Sequence, residues 1–214
     1  MTYRRSTSGQ RRNTAQVLLV ALYLLGLPQS AVAATILLIG DSLSSGYGLR
    51  GDTWVEQANQ LLSEQGHDIN IVNDSISGDT TAGGLARIED GLSRVEPDWV
   101  MIELGGNDGL RGVMPDVIAA NLSGMIRAAR ENGAKTLLLG IRIPPNYGKV
   151  YTDRFEQVFV DVAAQTDTPL LPFFVGDLML DPAYMQDDMI HPNDAAQPQI
   201  RDRVVPFLLD ALAP

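Results

Sequence analysis

A serine, a histidine and an aspartate in this chain are of the types that together perform nucleophilic catalysis. Ser42 directly follows an apolar stretch in "ILLIGDSLSSGYG", one residue after Asp41. His191 is one of two histidines, and Asp188 precedes it by three residues in "DDMIHPN". At that spacing one turn of chain places the carboxylate on the Nδ1–H of the imidazole, which leaves Nε2 free to accept a serine proton. The three residues predict a nucleophile, a general base and a group that orients the base.

Hydrogen-bond donors for a negatively charged intermediate occur in two other short motifs. Asn107 in "GGND" carries a side-chain amide, and Gly78 in "SGDT" has a backbone N–H that no side chain shields. The N–H of Ser42 is a third candidate, because a helical segment is expected to start there. Removing one such donor typically costs about 10²–10³ in rate. The sequence therefore predicts an oxyanion hole formed by Ser42, Gly78 and Asn107.

For these residues to meet, the elements that carry them must end at one edge of a sheet. Strand-length runs alternate with helical patterns after residue 34, and each run is nearly all apolar, as in parallel strands buried on both faces. The predicted strands are Thr35–Ile39, Ile69–Asn73, Trp99–Leu104, Thr136–Ile141 and Pro169–Leu171, and the predicted helices are Thr53–Gln65, Thr81–Leu92, Pro115–Asn132, Tyr151–Gln165 and Ala195–Ala211. This order predicts a single three-layer α/β/α domain around a flavodoxin-like parallel sheet of about five strands. Ligands of such sheets bind beyond the carboxyl ends of the strands, where the motifs lie.

The first 33 residues predict a secretory signal peptide. Four arginines form a basic start, an apolar run extends from Val17 to Leu27, and alanines occupy positions 31, 33 and 34. The apolar run is too short to cross a bilayer, which needs about 20 residues. We expect cleavage after Ala33 or Ala34, a hydrolase domain over residues 34–214, and a periplasmic or secreted protein without stable membrane insertion.

The remainder of the chain is strongly acidic and has no cysteine. Without the four arginines of the first 33 residues, 12 basic and 26 acidic residues remain, a formal charge of −14. Such a surface repels nucleic acid and anionic lipid head groups, so neither is an expected partner. The absence of cysteine excludes disulfides, thiolate metal sites and cysteine nucleophiles.

Two other functions fit parts of the pattern. Asp41, Asp79 and Asp108 follow three successive predicted strands, and clustered carboxylates suit Mg²⁺ in a metal-assisted phosphoryl-transfer enzyme. Neither of the two lysines directly follows a predicted strand, where it would hold a phosphoryl group. A non-catalytic ligand-binding protein on the same fold is the second alternative, because a fold does not determine its function.

Taken together, the motifs resemble those of the SGNH hydrolases (the GDSL esterase/lipase superfamily), and among these the periplasmic thioesterase/lysophospholipase and arylesterase group. The resemblance covers essentially the whole chain after residue 34, in the order of the family: "ILLIGDSLSSGYG", "SISGDTT", "GLARI", "ELGGNDGLRG", "IRIPPNYG", "PLLPFF" and "MQDDMIHPN". It implies that Ser42 is the nucleophile, His191 the general base and Asp188 its orienting acid, with Gly78 and Asn107 as oxyanion donors.

The resemblance also implies the reaction. Carboxylic esters and thioesters of small-molecule acyl groups are expected to be cleaved through an acyl-enzyme, with no cofactor and no metal. A monomer is the default expectation. Apolar residues after the fourth and fifth strands are candidates to line an acyl groove: Ile143, Pro144, Pro145, Tyr147, Phe173 and Phe174.

Two positions depart from the family pattern. Met189 stands where the family usually has glycine, between the acid and the next apolar residue, and Asp74 replaces a residue that is commonly small. We expect Met189 to alter the flexibility of its loop or the shape of the pocket. Neither change removes a catalytic group.

Overall fold

Five parallel strands form one sheet in the order β2-β1-β3-β4-β5. The computed structural model describes residues 1–2 and 33–213. The strands are β1 (Ala33–Gly40), β2 (Asp68–Asn73), β3 (Trp99–Glu103), β4 (Lys135–Leu139) and β5 (Leu170–Leu171). The predicted five-stranded parallel sheet is confirmed, and each strand lies within a few residues of its predicted position.

Helices cover both faces of this sheet. They are α1 (Ser42–Ser45), α2 (Trp54–Glu64), α3 (Thr81–Val95), α4 (Gly106–Leu110), α5 (Pro115–Glu131), α6 (Lys149–Thr166) and α7 (Gln197–Leu212). Helix α5 packs against α3 and α6, while α2 packs against α7, which gives the predicted three layers. The sequence indicated a helical segment starting at Ser42 but gave no bounds for α1, and it did not predict α4, because helices of four and five residues are too short to show an apolar period.

The central strands supply the middle of the hydrophobic core. In β1 the four residues from Ile36 to Ile39 are fully buried, and in β3 the same holds for Val100, Met101 and Ile102. Burying one such side chain contributes roughly 1.5–3 kcal/mol. The apolar run of β3 ends in an acid, Glu103, which is also fully buried.

The strand order creates a crevice between β1 and β3. Strand β2 lies on one side of β1, and β3 lies on the other side. The chain therefore leaves β1 in one direction and β3 in the opposite direction. Ligands of open α/β sheets bind at such a switch point. The short helices α1 and α4 begin there, directly beyond the ends of β1 and β3.

The long irregular segment after β5 returns to this crevice. It contains short 3₁₀ helices at Gly176–Leu180 and Pro182–Tyr184, and an antiparallel bridge joins Met185 to Pro192. The side-chain amide of Asn193 donates to the carbonyls of Ala183 (2.9 Å) and Met185 (3.0 Å), which ties the two ends of the segment together. The segment thereby carries residue 191 to the strand ends.

The predicted signal peptide lies almost wholly outside the described residues, which resume at Ala33. Among the helices of the described ranges, none combines the length and the apolar character that crossing a membrane requires.

Candidate active site

Ser42 lies at the start of α1, just beyond the carboxyl end of β1. The helix is capped by Asp41, whose Oδ1 accepts the N–H of Leu43 at 3.0 Å. It ends at Gly46, where a φ of 83° lies in the left-handed region that glycine tolerates. Ser42 is half-buried, and as the first helical residue its N–H has no acceptor within the helix. Its hydroxyl and its N–H are therefore both available to other groups.

A tight turn joins His191 to Asp188. Asp188 Oδ1 accepts the N–H of Ile190 (2.9 Å) and of His191 (3.0 Å), and Oδ2 lies 2.6 Å from Nδ1 of His191. Burial acts to raise the pKa of Asp188, but these hydrogen bonds outweigh it and hold the pKa below its usual range. The Tyr47 ring lies against the imidazole, with 4.5 Å between the centroids. An ionised carboxylate and a neighbouring aromatic ring thus hold the His191 ring.

The other ring nitrogen of His191 faces the serine. Nε2 lies 2.8 Å from Oγ of Ser42, so the hydroxyl, the imidazole and the carboxylate form one continuous hydrogen-bonded line. With the proton of the neutral ring on Nδ1 beside Asp188, Nε2 is the atom that accepts the serine proton. The structure brings together the three residues that the sequence predicts for nucleophilic catalysis.

Gly78, a predicted oxyanion donor, lies in the loop between β2 and α3. Its φ of 81° favours glycine, and the space that a Cβ would occupy is open. The neighbouring Ser77 has its Oγ 2.7 Å from Oγ of Ser45, which links this loop to α1. The carbonyl of Gly78 accepts a hydrogen bond from Arg111 at 3.1 Å. Within residues 33–213 its N–H donates to no protein acceptor, so it is available to a bound group.

Asn107, the predicted side-chain donor of the oxyanion hole, is the second residue of α4. Its Nδ2 donates to Oδ2 of Asp41 at 3.0 Å. An amide nitrogen carries two hydrogens, so one remains for another acceptor. Asn107 lines the same cavity as Ser42 and His191, whereas Gly78 is not among the residues of its wall.

Asp41 and Glu103 are two buried acids in contact with each other next to Ser42, and the sequence analysis did not predict this pair. Glu103 Oε2 accepts Oγ–H of Ser44 at 2.7 Å and the N–H of Asp41 at 3.2 Å, while Oε1 is buried without a hydrogen-bond partner in the described part of the chain. Burial raises the pKa of Asp41 to about 6, against the opposing hydrogen bonds from Leu43 and Asn107. Burial and the neighbouring Asp41 carboxylate raise the pKa of Glu103 well above its usual value. The only sequence signal for Glu103 is an acid at the end of a buried strand.

The three acids considered for a magnesium site have separate partners. Asp41 accepts from Asn107, Asp79 forms an ion pair with Arg87 (2.8 Å), and Asp108 accepts the N–H and the hydroxyl of Thr81 at 2.8 and 2.6 Å. Among residues 1–2 and 33–213, no three histidine or acidic side chains are arranged to hold a metal ion. Hydrogen bonds and ion pairs within the protein thus account for each of these carboxylates.

Two adjoining cavities lie beside the serine and histidine. The first has a volume of about 100 Å³, and its walls include Ser42, Asn107 and His191. The second, of about 290 Å³, extends toward Leu180 and Met189. The two share four wall residues: Arg142, Ile143, Pro144 and Met179. The two cavities are therefore adjacent, with mainly apolar walls, and the second lies farther from the serine.

Four of the six predicted groove residues line these two cavities, and two do not. Ile143 and Pro144 line both cavities, and Pro145 and Phe173 line the second. Tyr147 is 39% exposed and lines neither cavity. The prediction for Phe174 needs correction, since its ring is fully buried in the core and lies 6.2 Å from the ring of Trp54. Adjacent residues of an irregular segment point in different directions, which composition does not reveal.

Both departures from the family pattern have a structural role. Asp74 forms ion pairs with Arg87 (2.9 Å) and Arg94 (2.8 Å), so it attaches the end of β2 to α3. Met189 has a φ of 55°, which is unfavourable for a residue with a side chain, and its side chain forms part of the second cavity wall. The expected effect of Met189 on pocket shape therefore has a geometric basis.

Comparison with known proteins adds a family and several relatives. Residues 38–197 match the family model described as the GDSL-like lipase/acylhydrolase family. The chain is 48% identical over 188 residues to "Esterase TesA" of Pseudomonas aeruginosa, a match that covers 87% of this chain and 94% of that protein. It is 43% identical over 175 residues to "Thioesterase 1/protease 1/lysophospholipase L1" of Escherichia coli K12, covering 81% of this chain and 83% of the relative.

A solved structure shares the fold over nearly its full length. The psychrotrophic esterase EstA from Pseudoalteromonas sp., in a form inhibited by monoethylphosphonate, superposes with a TM-score of 0.81 at 39% sequence identity. The match covers 83% of this chain and 98% of the esterase. The family match over residues 38–197 includes both Ser42 and the segment of Asp188 and His191.

Proposed function

The chain belongs to the GDSL-like lipase/acylhydrolase family and is a carboxylic ester hydrolase, and we propose that Ser42, His191 and Asp188 perform its chemistry. The observation that carries the proposal is the hydrogen-bonded line from Oγ of Ser42 through the imidazole to the carboxylate. A serine placed in this way at the mouth of an apolar cavity is suited to attack an acyl carbonyl.

In the first half of the reaction, Nε2 of His191 takes the hydroxyl proton as Oγ of Ser42 bonds to the carbonyl carbon. The carbonyl oxygen becomes an oxyanion, and the N–H groups of Ser42 and Gly78 and the free Nδ2–H of Asn107 stabilise it. His191 then gives the proton to the departing alcohol or thiol as the bond to the leaving group breaks. The products are an acyl-enzyme on Ser42 and the free alcohol or thiol.

In the second half, water takes the place of the serine hydroxyl. His191 removes a proton from the water, the hydroxide attacks the ester carbonyl of the acyl-enzyme, and the same donors hold the new oxyanion. Collapse of this intermediate breaks the bond to Oγ, which recovers its proton from His191. The carboxylic acid leaves and the enzyme is restored. All of these steps use groups of this chain.

We propose that small-molecule esters and thioesters with apolar acyl groups are the substrates, including lysophospholipids and aryl esters. The two adjoining cavities support this, because their shared wall of Ile143, Pro144 and Met179 offers apolar contact to an acyl chain that leads away from the serine. The relative named as a thioesterase and lysophospholipase supports the same range.

The location and the assembly state are further parts of the proposal. We propose a periplasmic or secreted monomer, exported through the basic and apolar pattern of the first 33 residues. Cell fractionation and N-terminal sequencing test this: exported protein should begin at Ala34 or Thr35. A cytoplasmic protein that retains its first residues would contradict the proposed export.

The catalytic proposal is tested with Ser42→Ala. The variant should lose turnover of p-nitrophenyl esters and of acyl thioesters, while its thermal midpoint stays near that of the unsubstituted protein. Ser93→Ala, an exposed serine in α3, is the matched control and should keep full activity. A phosphonate inhibitor should add its mass to the protein at Ser42 and should fail to label Ser42→Ala. Retained turnover in Ser42→Ala would refute the assignment.

A further inference from the structure

Asp41 has no step in the mechanism above, yet it is a buried acid directly before the nucleophile. The residue is only 1% exposed. The two carboxylate oxygens have different partners: Oδ1 accepts the N–H of Leu43 at 3.0 Å, and Oδ2 accepts Nδ2–H of Asn107 at 3.0 Å. Helix capping accounts for the first contact. It does not account for the second.

The contact with Asn107 determines which way the amide faces. A side-chain amide can turn over, which exchanges its oxygen and its nitrogen. An ionised carboxylate only accepts hydrogen bonds, so it attracts the NH₂ group of Asn107 and repels its carbonyl oxygen. In the alternative orientation an amide oxygen would face the position of the oxyanion, and two negative oxygens would oppose each other.

The same contact also limits where the free hydrogen points. The amide group is planar, so once one N–H is directed at Oδ2 of Asp41, the direction of the other N–H is fixed by the geometry of the nitrogen. Preorganised donors are effective because they need no reorientation when charge develops. Asp41 is itself held in place, because its N–H donates to the buried Oε2 of Glu103 at 3.2 Å.

We propose that Asp41 is a positioning residue that orients the Asn107 amide toward the oxyanion. This inference rests on the proposed function, in which Asn107 stabilises the tetrahedral intermediate. The hydrogen bonds of the Asp41 carboxylate go to Leu43 and Asn107 and not to the Ser42 hydroxyl or the His191 ring, so we expect its effect on the rate to pass mainly through Asn107. Asp41 would thus have two roles, since it also caps α1.

Substitution of Asp41 by serine separates helix capping from the contact with Asn107. Serine caps helices about as well as aspartate, so Asp41→Ser preserves a hydrogen-bond acceptor for the N–H of Leu43. Its side chain is one atom shorter and has a single hydroxyl oxygen in place of the two carboxylate oxygens, so it has no second oxygen for Nδ2 of Asn107. Asp41→Asn is the second variant, because it keeps the size of the side chain but replaces one acceptor oxygen with an NH₂ group. Either the N–H of Leu43 or the Nδ2–H of Asn107 then faces a donor instead of an acceptor. The control is Asp98→Ser, which removes the carboxylate that accepts the N–H of Thr35 (2.8 Å) at the opposite end of β1.

The test is a double-mutant cycle with Asn107→Ala, measured as kcat and KM on a short-chain p-nitrophenyl ester. Asn107→Ala alone should lower kcat by about 10²–10³-fold. Asp41→Ser should lower kcat by about 10–100-fold with little change in KM when Asn107 is present, and by less than about twofold in the Asn107→Ala background. Asp98→Ser should have the same small effect on kcat whether residue 107 is Asn or Ala. Thermal midpoints and the mass of the phosphonate adduct report whether each variant is folded.

Each result decides the question. Equal losses from Asp41→Ser in the two backgrounds would show that Asp41 acts on the serine or the fold, and would overturn the inference. An unchanged kcat in Asp41→Ser would do the same. If Asp41→Ser does not fold, the same comparison with Asp41→Asn gives the answer. Turnover by Ser42→Ala would instead refute the proposed function, so the two failures are distinguishable.

Discussion

The Nε2 atom of His191 lies 2.8 Å from Oγ of Ser42, although 149 positions separate the two residues along the chain. Two separate structures bring them together. The short helix α1 presents the serine beyond the end of β1, and the segment closed by Asn193 returns the histidine to the same edge. The proton-transfer distance therefore depends on both ends of the domain being folded.

The first prediction is that Asp188, and not the adjacent Asp187, orients His191. Asp188→Asn should lower kcat on the order of 10²–10⁴-fold, because an amide in place of the carboxylate no longer stabilises the imidazolium and can donate to Nδ1, which moves the ring proton to Nε2. Asp187→Asn, an exposed neighbour, is the matched control and should retain nearly full kcat. Steady-state kinetics on both variants is the measurement, and a larger loss in Asp187→Asn would contradict the assigned roles.

Burial of Glu103 predicts a pH-dependent gain in stability from Glu103→Gln. The folded-state pKa of Glu103 is raised by burial and by Asp41, so the native state binds a proton more tightly than the unfolded state does. The free energy of unfolding therefore falls as pH rises from the unfolded pKa, about 4.3, toward the higher folded pKa. Glutamine does not titrate, and its carbonyl oxygen can accept from Ser44 and from the N–H of Asp41.

The measurement is the thermal midpoint of Glu103→Gln minus that of the unsubstituted protein between pH 4 and pH 8. The difference should grow in favour of the variant as pH rises, and each kcal/mol shifts the midpoint by about 2–4 °C in a domain of this size. Glu131→Gln, an exposed glutamate at the end of α5, should show a flat difference. A difference for Glu103→Gln that stays constant or shrinks with rising pH would be inconsistent with a raised pKa.

Arg87 is expected to support the loop that carries Gly78. Its guanidinium forms ion pairs with Asp79 (2.8 Å) and Asp74 (2.9 Å), and Asp79 is the residue after Gly78. Arg87→Gln should destabilise the protein by about 1–3 kcal/mol, because partly buried carboxylates lose their partner. It should also lower kcat severalfold, because the N–H of Gly78 is less firmly held.

The matched control for that change is Arg94→Gln. Arg94 pairs with the other oxygen of Asp74 at 2.8 Å but is half exposed, and exposed ion pairs contribute only about 0–1 kcal/mol. Its kcat should be unchanged. Thermal melts and kinetics of the two variants are compared, and equal effects on kcat would show that Arg87 has no specific connection to Gly78.

Met189 combines an unfavourable backbone conformation with a place in the wall of the second cavity. Met189→Ala removes the side chain and keeps the strain, whereas Met189→Gly removes both. Each should lower the ratio of kcat/KM for long-chain over short-chain p-nitrophenyl esters severalfold, because the far part of the acyl path loses apolar contact.

The two variants should differ in stability. Met189→Gly should melt above Met189→Ala, since a left-handed conformation costs a residue with a side chain roughly 1–2 kcal/mol. Differential scanning calorimetry and an acyl chain-length series are the measurements. An unchanged chain-length ratio in both variants would exclude Met189 from the acyl path.

Local sequence patterns were sufficient for the sheet and for most helices. Continuous apolar runs identify parallel strands because both faces of the sheet are covered, and this information lies within each run. The same holds for the position of Ser42 at a strand end and for the spacing of Asp188 and His191. The motifs also identified the family, which the comparisons confirm.

Contacts between distant segments were decided only by the tertiary structure. The hydrogen bond between Asp41 and Asn107 joins the ends of two neighbouring strands, and the partners of the buried Glu103 are Ser44 and Asp41, about 60 positions away in the chain. Phe174 and Phe173 are adjacent in sequence, yet one is in the core and the other lines a cavity. Periodic patterns specify which residues are apolar and how they repeat along one element, but the direction of a side chain in an irregular loop and the partner of a buried acid are set by the packing of segments far apart in the chain.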